Sequence, residues 1–140
     1  MTYTINTTGT SAPVLLDSIA HLLPEHTGAV VVSGSHGGLS AARFVLAQAH
    51  RPWVVFFNDA GVGKDEAGIA ALGLLQHEGL AAAAYGHESA RIGDAHDGWQ
   101  HGVLTHVNAQ ALRLGLLVGM AVAEACVWAD PRKNPRPGLG

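Results

Sequence analysis

Hydrophobic positions along this chain follow two periods, and the elements follow from where one gives way to the other. Ser11-Ala12-Pro13 reads as a cap with a proline in the first helical turn, after which Val14, Leu15, Ile19, Leu22 and Leu23 keep helical spacing as far as Pro24. Residues 28–32 form a short β-branched run and predict a buried strand, broken by Gly34, Gly37 and Gly38. Ala42, Val45 and Leu46 then give a helix over residues 39–49 its apolar face. Residues 52–57 predict a second strand, ending at Asn58-Asp59, and residues 64–78 a helix stopped by Gly79. A third strand, rich in alanine, covers residues 80–85. Residues 86–98 read as a long polar loop. Residues 99–114 read as a helix with Val103, Leu104, Val107, Ala111 and Leu114 facing inward, and residues 120–127 as a short last helix. Weak alternation in residues 1–6 fits an extra edge strand.

Strands that alternate with helices over short loops imply parallel crossovers, and strands apolar throughout imply a sheet covered on both faces. The expected fold is a small α/β domain of three layers (αβα), Rossmann-like or flavodoxin-like, with a three- to four-stranded, mainly parallel sheet. Residues 1–129 form this single domain, and residues 130–140, with three prolines, a C-terminal tail.

A length of 140 residues suits one core. Charged residues are only 14% of the chain against 48% hydrophobic, so apolar surface is left over for a second copy to cover, and a homo-oligomer is expected. With a net charge of −3, two lysines and no basic stripe, nucleic acid is excluded as a main partner. The single cysteine, Cys126, sits in an Ala/Val-rich helical pattern and reads as a buried small hydrophobe. The polar start has no secretory-leader pattern and no stretch reaches about 18 apolar residues, so no membrane contact and a cytoplasmic location are expected.

Chemistry is distributed unevenly. In a parallel sheet the loops that follow the strands gather at one edge, where ligands of open α/β sheets bind. The loops before the strands are short and bland. Those after them, residues 33–38, 58–66 and 86–94, hold nearly every reactive side chain. In the first, Gly37 and Gly38 open a helix where backbone N–H groups suit an anion or oxyanion, Ser33 and Ser35 offer hydroxyls, and His36 a proton carrier. In the second, Gly61-Val62-Gly63-Lys64 lacks the glycine and the hydroxyl of a phosphate-binding loop, because Asn58 and Asp65 stand at those places. Asn58 and Asp59 are expected to face the site, with Lys64 as an anchor, base or Schiff-base amine. The third carries His87, Ser89, Arg91 and Asp94; Arg91 offers a planar fork for a carboxylate, or pairs with Asp94 to hold the loop. Asn108 joins them from the following helix. The nine histidines contain no pair at metal-ligand spacing along a helix, and neither a metal nor a cofactor is expected.

These residues point to an enzyme on a small, anionic metabolite bearing a carboxylate or carbonyl group. Hydrolysis of an amide, imide or lactone comes first: Ser35 or an activated water attacks, His36 or His87 moves protons, and first-loop amides hold the oxyanion. An isomerase or lyase would use the same acid–base set. A non-catalytic anion-binding domain and an interface subunit are the readings of other classes.

Overall fold

In the computed structural model, which describes residues 2–4 and 12–131, six strands form one sheet in the order in which they occur along the chain. They are β1 (Thr2–Thr4), β2 (Val14–Leu16), β3 (Val30–His36), β4 (Val54–Asn58), β5 (Ala81–Tyr85) and β6 (Leu104–Val107). The four central strands are parallel, whereas β1 and β6 are antiparallel edges. Five helices complete the fold: α1 (Leu39–Leu46), α2 (Ala70–His77), α3 (Ala95–His101), α4 (Ala109–Arg113) and α5 (Val122–Ala129).

Strand period explains the two cores. Leu15, Val32, Phe56, Ala83 and Tyr85 point to one side and meet Leu104, Leu114, Leu116, Val122 and Ala125. Leu16, Val31, Val55, Phe57 and Ala84 point to the other and meet Ala42, Val45, Leu72 and Leu75 of α1 and α2. The protein is thus a three-layer α/β domain. Its strand order runs in sequence, without the reversal that creates a switch-point crevice in doubly wound sheets.

One predicted helix gives way to a strand and another is interrupted by one. Residues 14–16 extend as β2, with Leu15 opposite Val32 of β3, because Val14 and Leu16 face one core and Leu15 the other. Ser18 then caps a 3-10 turn, Ile19–His21, through the Ala20 amide. The long helix of residues 99–114 is split. Gly102 abuts the Gly98 carbonyl and receives no space for a Cβ, α3 ends there, and the chain returns as β6 before α4. Leu104 and Val107 reach the same core three residues apart, because an extra residue interrupts the strand between them, and this spacing matches a helical one. These two strands and β1 raise the sheet from the three or four strands expected to six. Of the tail, residues 132–140 lie outside the described residues, as do residues 1, 5 and 6 of the predicted edge strand. No described helix is long and apolar enough to cross a membrane.

Candidate functional site

The three polar loops do leave one edge of the sheet, since β3, β4 and β5 are parallel. They are tied to one another by backbone contacts. Gly34 has Asp17 O and Asp94 N at 2.6 and 2.7 Å from where a Cβ would stand, and its carbonyl accepts from Gly93 N–H at 2.7 Å. Gly37 abuts Gly68 O, and Gly68 in turn abuts the Asp59 carbonyl. First-loop glycines are therefore needed for close approach. Among the described residues, positive φ at non-glycine positions is confined to the second loop, at Ala60 (51°), Val62 (67°), Asp65 (56°) and Glu66 (58°), beside Gly61 and Gly63. Four non-glycine residues in this region within seven positions store strain, and strain of this kind gathers at functional loops.

Asp59, at the end of β4, is the electrostatic centre. It is 5% exposed. Its Oδ1 accepts from Gly61 N–H (2.8 Å) and His87 N–H (3.0 Å), and its Oδ2 from the Thr105 hydroxyl (2.8 Å). Burial pushes this carboxyl up, but the Gly61 amide, Thr105, the His87 amide and the His87 ring together outweigh it and hold it below its ordinary value. The His87 ring lies over Gly61, with Nδ1 3.4 Å from Asp59 Oδ1 and half its side-chain surface in solvent. His36, exposed, ends β3 opposite Asn58 and packs over Gly38, the cap residue of α1.

Several candidates are engaged in holding the loops. Ser33 is fully buried: its hydroxyl accepts from Ser35 N–H and its carbonyl from Tyr85 Oη–H at 2.7 Å. Burial, followed by the nearby Asp94 and Asp97, pushes the Tyr85 hydroxyl far up, so it stays a donor. Ser35 Oγ accepts from Ile19 N–H at 3.0 Å and anchors the 3-10 turn after β2. Asn58, fully buried, spans two loops by accepting from Ala60 N–H and donating to Ala90 O. Ser89 donates to Gly86 O and accepts from Val103 N–H, fastening the third loop to β6. Asp94 caps α3 through Asp97 N–H. Arg91 reaches Asp94 Oδ2 at 3.9 Å but leaves 78% of its side chain exposed, and Lys64 projects into solvent from the turn Lys64–Glu66.

Asn108 is not with the others. It lies at the opposite end of β5, where Nδ2 donates to Leu72 O and Leu80 O while Oδ1 accepts from Ala82 N–H and Ala111 N–H. All four of its hydrogen-bonding positions are spent on the fold. A cavity of about 530 Å³, lined by Trp99, Thr27 and Cys126 among others, opens beside the start of β3 and includes none of the candidates.

Three contributors escaped the sequence reading. Asp17 Oδ1 accepts from Ala95 N–H at 3.0 Å, and Asp97 accepts from Arg91 N–H and meets His101 Nδ1 at 2.9 Å. Thr105, which completes Asp59, was hidden in the supposed helix. The alternation of Val103, Thr105 and Val107 was the signal that could have found it. Among the described residues no group of three His, Cys, Asp or Glu side chains is placed to hold a metal ion. Compared with known family models, curated proteins and solved structures, the chain matches none.

Proposed function

We propose that the protein is an enzyme acting on a small metabolite with a carboxylate or carbonyl group, and that it hydrolyses an amide, imide or lactone with water activated by His87. One observation carries this reading: a buried, ionised carboxylate, Asp59, stands 3.4 Å from Nδ1 of a half-exposed imidazole. A carboxylate only accepts, so it favours the proton on Nδ1 and leaves Nε2 as the base. It also stabilises the imidazolium formed when Nε2 takes a proton. The 3.4 Å separation is long for a formed hydrogen bond, and contacts of this type tighten when ligand binds.

In the reaction, the water oxygen bonds to the substrate carbonyl carbon as its proton passes to His87 Nε2. The same proton then goes to the leaving nitrogen or oxygen as the old bond breaks. Water is preferred to Ser35 as the attacker because the Ser35 oxygen receives the Ile19 amide. Arg91 and Lys64 are the available anchors for a substrate carboxylate; the exposed Arg91–Asp94 pair is weak enough to exchange. Leu117, Val118, Val127 and Trp128, 48–62% exposed, support self-association as well.

The test is a turnover screen over small imides, amides and lactones with wild type, His87→Gln and Ser35→Ala. The expected result is hydrolysis by wild type that falls about 10²–10⁴-fold in His87→Gln and survives in Ser35→Ala. Trapping of an acyl-Ser35 adduct by mass spectrometry would overturn the role given to water. Full activity in His87→Gln would remove the dyad altogether.

A further inference from the structure

The Asp59 centre has a second side, on β6. Residues Ala83 and Ala84 of β5 pair with Val107 and His106, but Tyr85 pairs with Leu104, so Thr105 is an extra residue in the ladder. Such a bulge re-aims a side chain that regular pleating would send elsewhere. Here it turns the Thr105 hydroxyl to Asp59 Oδ2 at 2.8 Å and brings His106 Nδ1 to 3.0 Å from the same hydroxyl.

A proton count settles the direction of each bond. Thr105 has one hydroxyl proton and three groups that could accept it: Asp59 Oδ2 at 2.8 Å, an unprotonated His106 Nδ1 at 3.0 Å and Ala84 O at 3.4 Å. The shortest contact is to an ionised carboxylate, which makes the strongest bond, so the proton goes to Asp59. The hydroxyl oxygen is then only an acceptor toward His106, and His106 must carry a proton on Nδ1. Its Nε2 is left with a lone pair. His106 lines a cavity of about 420 Å³ between α2 and β6, beside Ile69, Leu72 and Val107.

We propose that Asp59 orients two histidines, His87 directly and His106 through Thr105, so that the centre offers a proton-accepting Nε2 both at the loop edge and at the α2–β6 cavity. Thr105 is the positioning residue of this arrangement. The inference deepens the acid–base reading above and rests on it, but its test needs no substrate.

Nitrogen-15 NMR of the histidine rings is recorded on the full chain at about pH 8.5, above the ordinary imidazole range. In wild type, the expected spectrum shows His106 with a protonated Nδ1 and a bare Nε2, the reverse of the form a free histidine ring prefers. Thr105→Val keeps the β-branched shape without the hydroxyl, and His106 is expected to revert to the Nε2-protonated form; Thr105→Ser restores the wild-type pattern. A wild-type His106 protonated on Nε2 overturns the inference by itself, whether or not Thr105→Val folds. So does a folded Thr105→Val in which His106 keeps its wild-type form. Loss of catalysis in His87→Gln bears only on the function, and an intact His106 pattern there leaves this inference standing.

Discussion

Replacing Ala60 by glycine should make the protein more stable, although it removes a methyl group and adds backbone freedom. Ala60 has φ of 51° and is exposed. An L-residue held in the left-handed region costs roughly 1–2 kcal/mol, from contact between Cβ and the following carbonyl oxygen. Glycine avoids that contact but loses about 0.5–1 kcal/mol more conformational freedom on folding than alanine does. The difference favours Ala60→Gly by between about 0 and 1.5 kcal/mol, and its midpoint of about 0.8 kcal/mol is equivalent to a rise in Tm of about 3 °C for a chain of this size. The bond that fixes the residue, from the Ala60 backbone N–H to the Asn58 side-chain Oδ1 at 2.8 Å, does not involve the Ala60 methyl and survives the change. Gly61→Ala is the control. Gly61 has φ of +75°, and a Cβ there would stand 3.4 Å from the His87 ring, so strain returns and Tm should fall by a similar amount. Calorimetry on the three proteins in one buffer reads both changes. A Tm for Ala60→Gly below that of wild type would refute the strain assigned to this loop.

Three further outcomes follow from the same geometry. Asn108→Ala removes four buried hydrogen bonds of roughly 1 kcal/mol each and should cost about 3–4 kcal/mol in urea unfolding; a loss below about 1 kcal/mol would contradict the accounting. Asp59 has a folded pKa below its ordinary 3.8, so the unfolded chain takes up the proton first as pH falls. Its contribution is complete above that value and is lost as pH drops through the folded pKa; Asp59→Asn should flatten the stability curve below about pH 4, and an unchanged curve would count against the ionised centre. Cys126 is buried and its thiol is pushed up by desolvation, so a thiol reagent should label native protein only at the rate at which it opens. Labelling at the rate of a free thiol would show the helix packing around it to be wrong.

What the sequence made legible depended on how many physical rules shared a segment. Residues 54–57 are apolar, β-branched or aromatic, and bounded by proline before and Asn58 after; every rule agreed, and β4 lies there. The loops after the parallel strands were legible for the same reason, because glycine and polar residues followed each apolar run. Residues 14–23 and 103–107 were not, since apolar residues at positions such as 104, 107 and 111 satisfy a helical period while 103, 105 and 107 satisfy a strand period. The close approach at Gly102 and the pairing with β5 decide between them, and both are tertiary facts. Among the loop residues, residue type drew attention to Asp59 and His87 but not to the contacts each one makes. A serine before a glycine-rich turn does not show from sequence what its hydroxyl meets, and the Ile19 amide that Ser35 accepts lies 16 residues away.

The misread strand also explains how a sheet without reversed strand order comes to hold a buried carboxylate at its loop edge. Parallel strands present their ends at the loop edge, and an antiparallel neighbour presents its beginning there. Asp59 N–H continues the ladder to Tyr85 O at 2.8 Å, which seats the residue on the rim between β3 and β5. Its own loop supplies Gly61, and the segment after β5 supplies His87, but both of these donate to Oδ1. The donor recorded at Oδ2 is Thr105, which reaches it because β6 enters antiparallel and bulges at that residue. A carboxylate this buried is stable as an ion only when its oxygens are supplied with donors. The antiparallel return of β6 is therefore what allows a charged aspartate at the end of a central strand, where a fully parallel sheet would bring only another loop.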